Sequence, residues 1–208
     1  MKTSVSSEYT RLEYLKINKK CFFLLKEFQS NPYDLSAEIT AILDDNMGSQ
    51  PYYFIYGSMA DNDSLQLQSR LPAINQLRYI VGDDVYGFPV DRINMKNKIC
   101  IQLKRRAGNL IDLNVLGENN EVIWAETKTS DNMNSTKKYF RIFGSADSTS
   151  LFSGKLYGFK ASQNNEALHD LIPVMRNSDK ELGLLDLVDG TFYENQGSGI
   201  IERGEELA

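Results

Sequence analysis

Residues 152–201, FSGKLYGFKASQNNEALHDLIPVMRNSDKELGLLDLVDGTFYENQGSGII, constrain this chain more than any other stretch. Leu156-Tyr157-Gly158-Phe159-Lys160 reads as a strand rich in aromatic and apolar residues, and a polar tip, Ser162 to Glu166, separates it from Leu168 to Ile172. Pro173 has no N–H to give a ladder and presses Ile172 toward an extended conformation. Leu184 to Val188 is a short apolar run, followed by Asp189-Gly190 and then Thr191-Phe192-Tyr193. Asp-Gly between two β-prone runs predicts a two-residue type I′ hairpin, because that turn needs positive φ at both central positions. The segment is therefore strand, turn, strand, ending in a glycine-rich tail at Gly197 and Gly199.

The rest of the chain follows the same grammar. Leu35, Ala37, Ile39, Ala41 and Leu43 place an apolar residue at every second position, which puts one face of a strand in a core. Residues 98–104 and 110–115 alternate in the same way, and polar clusters such as Asp44-Asp45-Asn46 and Gly117-Glu118-Asn119-Asn120 break the runs. Pro51 to Tyr56 is aromatic at adjacent positions, and residues 127–137 read as a long polar loop. Cys21 to Phe28 could be drawn as two turns of helix, but its aromatic content makes a poor one. Some fourteen short strands with turn signals between them predict an all-β, two-sheet antiparallel β-sandwich. No linker cuts the chain. The expected organisation is a flexible tail over 1–8, one sandwich domain over 9–203 and a short tail over 204–208.

In its closing residues the chain resembles the laminin-G-like, concanavalin-type jelly-roll domains of phage and bacterial surface proteins. The residues that carry the resemblance are Ser153-Gly154-Lys155, Tyr157, Phe159-Lys160, Leu171-Ile172-Pro173-Val174, Arg176, Ser178-Asp179, Gly183-Leu184, Asp186-Leu187-Val188, Phe192-Tyr193, Asn195, Gly197 and Gly199. Leu12-Glu13-Tyr14-Leu15 with Phe22-Phe23-Leu24 is similar to the family's opening strand pair, without its usual glycines. The resemblance implies a jelly-roll, concanavalin-like fold, and behind it a lectin-like role.

Charge and cysteine content narrow the function classes. A formal net charge of −5 argues against a nucleic-acid partner, whose phosphates need a basic face. Lys104-Arg105-Arg106 and Lys137-Lys138 are read as solvated charge at strand ends. Cys21 and Cys100 sit among apolar neighbours and are expected as buried free thiols. MKTSVSSEYT lacks the apolar core of a secretory signal, and no run is long enough to span a bilayer, so synthesis in a host cytoplasm without membrane insertion is expected.

Catalytic signals are thin. The one histidine, His169, is expected at a surface or strand end, and with two cysteines it cannot build a His/Cys metal site. A glycoside hydrolase would need two carboxylates facing one cleft. Neither Glu118, Glu121 and Glu126 nor Asp186, Asp189 and Glu194 has the spacing that puts such a pair on one strand face. No cofactor is expected. Calcium is the one alternative, through Asp61-Asn62-Asp63-Ser64 or Asp44-Asp45-Asn46, although these are also ordinary turn residues.

A non-catalytic, lectin-like module is the favoured reading, as a phage virion component (tail, fibre or head appendage) that recognises host cell-surface saccharide. The first alternative is a structural decoration or adaptor protein that docks on other virion proteins, and either could be a homo-oligomer; a glycoside hydrolase is the lesser alternative. For a lectin, Tyr52, Tyr53, Tyr56 and Trp124 are the candidate stacking platforms, with Asp61, Asn62 and Asp63 as hydrogen-bonding partners. Trp124 has a competing reading as a core plug.

Overall fold

The computed structural model describes residues 6–18, 20–29, 34–43, 52–58, 63–70, 74–81, 84–89, 94, 96–130, 137–143 and 153–207. Through them run seventeen strands and no helix: β1 (Tyr9–Arg11), β2 (Leu15–Ile17), β3 (Phe23–Gln29), β4 (Leu35–Leu43), β5 (Tyr52–Ser58), β6 (Asp63–Arg70), β7 (Ile74–Val81), β8 (Asp84–Pro89), β9 (Ile99–Arg106), β10 (Leu110–Leu116), β11 (Val122–Thr129), β12 (Lys137–Ile142), β13 (Gly154–Gln163), β14 (Glu166–Arg176), β15 (Leu182–Asp186), β16 (Phe192–Glu194) and β17 (Ile201–Arg203). They form two antiparallel sheets. The larger runs β11-β10-β9-β4-β13-β14-β15-β16, with β1 added along β14 and β2 along β13; the smaller runs β3-β12-β5-β6-β7-β8.

The large sheet follows from the alternation of its sequence. In β4 every odd-numbered residue from Leu35 to Leu43 is buried and every even one is partly exposed. In β10, Ile111, Leu113 and Val115 are buried in the same way. These inner faces meet Phe23 and Leu25 of β3, Leu77 and Tyr79 of β7 and Ile142 of β12 in one hydrophobic cluster between the sheets. Each such side chain contributes about 1.5–3 kcal/mol by leaving water. The stretch from Cys21 is strand rather than helix from Phe23 on, because pairing with β12 satisfies its backbone.

Three local expectations are corrected. The tight two-residue turn is not at Asp189-Gly190 but at Asn164-Asn165, where both residues have positive φ (52° and 64°) and Gln163 pairs with Glu166. Asp189-Gly190 belongs to a four-residue loop, Leu187 to Gly190, closed by the Asp186 N–H on the Thr191 carbonyl (2.9 Å). Only Gly190 in that loop takes positive φ, at 76°. The Asp186 carboxylate decides this, because it accepts the Val188 N–H (3.0 Å) and widens the turn.

Arg105 is not solvated turn charge: it lies fully buried between the sheets, its Nε–H donating to the Tyr79 hydroxyl at 2.8 Å. Period two accounts for this, since Arg105 continues the inner series Ile99, Ile101, Leu103. Residues 204–207, expected as a tail, run along the N-terminal segment. Gly204 N–H donates to Tyr14 O (2.9 Å), Glu13 N–H to Glu205 O (2.8 Å) and Leu207 N–H to Arg11 O (2.9 Å). Ser7 and Glu8 are likewise held, by carbonyl bonds from Asn177.

The closing motif ties the chain ends together. Asn195 accepts the N–H groups of Phe22 (3.1 Å) and Gly197 (2.9 Å) and donates to Gly199 O (2.9 Å). Gly197 sits so close to the Lys20 carbonyl that a Cβ there would lie 1.8 Å from its oxygen. Arg176 bridges Asp179 (2.7 Å) and Glu194 (2.8 Å) while covering the Phe192 ring. Cys21 and Cys100 are buried free thiols.

Candidate functional site

The outer face of the large sheet carries the candidate site. Antiparallel register aligns Asn114 of β10 with Gln102 of β9, Gln102 with Glu38 of β4, Glu38 with Lys160 of β13, and Lys160 with Asp170 of β14. Directly opposed residues share a face, so five polar side chains stand in one row across five adjacent strands. Gln102 Nε2 donates to the Glu38 carboxylate at 2.8 Å, and Lys160 Nζ lies 3.6 Å from that of Asp170.

Beside this row the surface is hollow. A cleft of about 400 Å³ lies over Thr40, Gly158 and Tyr157, and an adjoining one of about 230 Å³ lies over Ser36 and Ser162. Glu38, Lys160 and Asp170 line both, which makes them one groove. Gly158 helps to open its floor: it contributes no side chain, and a Cβ there would press on the Leu171 carbonyl oxygen at 3.0 Å. Arg11, Leu187 and Leu207 line one side of the larger cleft. Behind that wall a second apolar cluster of Ile172, Val174 and Leu185, covered by Tyr9, Leu187 and Phe192, fills the outer face of β14 and β15.

The rim alternates cations and rings. Lys98 Nζ is 4.2 Å from the centre of the Tyr157 ring, Lys155 Nζ is 4.1 Å from that of Tyr14, and the two rings are 5.5 Å apart. Burial, then the nearby Glu13 carboxylate, raises the Tyr157 phenol above its ordinary value, so its hydroxyl stays protonated as donor and acceptor. Cys100, opposite Thr40, has its thiol pushed up to about 12 by burial and then by Glu38. It is not a nucleophile at neutral pH. The groove offers carboxylates, hydroxyls, an ammonium and one aromatic edge, with the amides of Gln102 and Asn114 further along the row.

His169 is corrected from a surface position to the interior. It lies on the inner face with Nδ1 2.7 Å from Asp186 Oδ2, and both side chains are buried. Asp186 also accepts the backbone N–H groups of Asp170 and Val188, each at 3.0 Å. Burial alone would raise the Asp186 carboxyl, but the His169 bond and these N–H groups outweigh it and hold it below its ordinary value. An ionised carboxylate only accepts, so His169 Nδ1 carries the proton in this bond. The His169 ring meets Tyr193 edge-on at 6.3 Å.

Of the other carboxylates named above, Asp189, Glu194, Glu126 and Glu121 are separately engaged. Asp189 pairs with Lys26, Glu194 with Arg176, and Glu126 with Lys128 at 3.1 Å. Glu121 accepts the Asn119 N–H at 3.0 Å. These groups do not converge on one cleft.

Tyr52, Tyr53 and Tyr56 lie in β5 of the small sheet, and Asp63 opens β6 opposite Ser58. The side chains of these four, and Asp61 and Asn62 entirely, fall outside the described residues, as do 44–46 of the other calcium candidate. Trp124 is in β11 at the far edge of the large sheet, half-buried and packed against the core. The platform candidates therefore come from two different sheets. Among the described residues no three metal-ligating side chains cluster, and no helix is long and apolar enough to cross a membrane. Glu38, Gln102, Asn114, Lys160 and Asp170 were not candidates from sequence. Alternation marks each as outward-facing, but only register brings them into line.

No protein-family model and no curated protein sequence matches the chain. Solved structures do. A Bacteroides ovatus protein assigned a carbohydrate-binding role superposes with a TM-score of 0.58 at 12% identity, over 95% of this chain and 62% of its own. A heptameric SAP-like pentraxin from Limulus polyphemus gives 0.54 at 10% identity, over 97% of this chain and 98% of its own. Tailspike protein 2 of an Escherichia coli O157:H7 bacteriophage gives 0.51 at 9% identity, over 78% of this chain. The likeness is one of fold. The sandwich is jelly-roll, concanavalin-like, and the chain spans 27% of the tailspike and 62% of the Bacteroides protein.

Proposed function

We propose that this chain is a non-catalytic, lectin-like module of the laminin-G-like type that binds saccharide in the outer-face groove of its large sheet. The observation that carries the reading is the groove itself: Glu38, Lys160 and Asp170 line a continuous hollow with hydroxyls on either side and Tyr157 at its rim. Sugar hydroxyls are paired donors and acceptors, and planar carboxylates and amides match them. Each net hydrogen bond contributes about 0.5–1.5 kcal/mol, so several in a row give useful affinity without any single strong anchor. The carbohydrate-binding assignment of the Bacteroides protein supports the ligand class. The tailspike likeness supports a virion component that meets a host surface saccharide.

A glycan array of bacterial surface oligosaccharides tests this, with Asp170→Ala and Lys160→Ala beside the native chain. Saccharide binding that is lost in both variants at an unchanged melting temperature is the expected result; an array without a single bound glycan would overturn it. One observation favours a second reading, a structural adaptor. Val122 (65% exposed) and Ile123 (44%) put apolar side chains on the surface at the edge strand β11, which would serve to dock on other virion proteins or on a second copy. A solution-size measurement on Ile123→Lys addresses it.

A further inference from the structure

We infer that the groove takes an extended oligosaccharide laid across the strands, about four rings long, with Asn114 and Gln102 as a remote subsite. The inference rests on the saccharide reading above. The row Asp170–Lys160–Glu38–Gln102–Asn114 crosses five strands, and strands in a sheet are ~4.8 Å apart. Four intervals at that spacing give a polar track of roughly 19 Å. The ring-to-ring repeat of an extended saccharide is close to one strand spacing, so each ring meets about one side chain of the row.

A solvated sheet face is polar by default, so polarity alone does not make a track. Two features go further. The row is asymmetric along its length: at β14 it meets the wall of Arg11, Leu187 and Leu207, whereas from Glu38 toward β10 those wall residues are left behind. A chain can enter with one end against the wall and leave along the open side. The side chains on the open side are also planar amides, with Gln102 already oriented by its bond to Glu38. That bond leaves the Gln102 carbonyl as an acceptor over the sheet.

The wall end and the open end should therefore contribute differently. A disaccharide against the wall reaches Asp170 and Lys160 only, while a tetrasaccharide also reaches Gln102 and Asn114. The probe is an array of size-graded oligosaccharides, two to eight residues long, of β-1,4-glucan, chitin, dextran and bacterial O-antigen. On whichever series binds, affinity should rise from two residues to about four and then level off. Two additional hydrogen bonds at the far subsite give roughly a 10-fold gain. Asn114→Ala with Gln102→Ala should remove that gain, weakening the tetrasaccharide far more than the disaccharide, while Asp170→Ala weakens every length. Affinity independent of length, or insensitivity of the longer ligands to the amide variants, overturns the extended track and leaves saccharide binding standing. Absence of binding to any series, with none on the wider array, overturns both.

Discussion

The two faces of the large sheet are made by the same strands and do different work. On β13, Phe159 points inward and is fully buried against both sheets, while Lys160 points outward over the groove with 62% of its side chain exposed. On β4 the same division separates Ile39 from Glu38. The inner face is held by shape and apolar area, so it tolerates little change. The outer face around the groove adds little to stability, which leaves its side chains free to be chosen for a ligand. The exceptions on each face are informative. Inside, Arg105 and the polar pair His169–Asp186 interrupt the apolar surface; outside, Ile172, Val174 and Leu185 form a small second core that builds one wall of the groove.

The largest expected difference comes from neighbours on one strand. Phe159→Ala should cost about 3–5 kcal/mol in urea unfolding, as deletion of a core ring does. Lys160→Ala should stay within about 0.5 kcal/mol of the native value, as surface substitutions do. Similar costs for the two would mean that the outer face is a packed interface and not a groove.

Asp186 sharpens the picture of the inner face. Asp186→Ala leaves His169 Nδ1–H and the N–H groups of Asp170 and Val188 without their acceptor in a buried site. A loss of about 3 kcal/mol follows. Asp186→Asn keeps one acceptor oxygen and should recover part of it. If Asp186→Ala instead abolished saccharide binding at full stability, the inner pair would belong to the site and the division of faces would fail.

Much of the fold could be read directly and little of the site could, for one physical reason. Alternation is a local property, so the strands at 35–43, 98–104 and 110–115 were visible without any partner. The closing segment was legible as strand, turn, strand, but the turn types were exchanged: Asn164-Asn165 took the tight turn while Asp186 widened the one at Asp189-Gly190. His169 could have been read as inward-facing, because it lies two residues before the buried Leu171 on β14, but its place beside the polar tip suggested a strand end. Arg105 was legible in principle, since its inner phase follows from Ile101 and Leu103, but a basic cluster at a strand end suggested solvent. The groove row draws on positions 38, 102, 114, 160 and 170, and only the strand order of the sheet makes them neighbours.

At Trp124 the two faces are least distinct, because β11 is the edge strand and its inner side is only half covered. Trp124→Ala should cost about 1–2 kcal/mol, less than a fully buried ring would, and leave glycan binding intact. Binding lost at an unchanged melting temperature would move the site to the sheet edge and away from the groove.

The smallest effect expected is electrostatic, and it compares Asp112 outside with Asp186 inside. The Arg106 guanidinium beside Asp112 holds its carboxyl below the ordinary value; burial opposes this and the Thr127 hydroxyl, at 2.7 Å, assists. A carboxylate depressed in the folded state stabilises the protein above its unfolded pKa of ~3.9, and that stabilisation is lost as pH falls through the lower folded value. Asp186 is depressed too, so both acids make the fold less stable in acid. Their response to salt should separate them. The Arg106 side chain is 42% exposed, so its pair with Asp112 is screened, whereas the bonds of Asp186 are buried. Asp112→Asn should lower the melting midpoint by no more than ~2 °C at neutral pH and low salt. The difference from the native chain should shrink in 1 M salt and close as pH falls below the depressed folded value of Asp112. The deficit of Asp186→Asn should survive the salt. A salt-insensitive Asp112→Asn deficit as large as that of Asp186→Asn would show that the outer face contributes to stability as the inner face does, and the contrast between them would have to be given up.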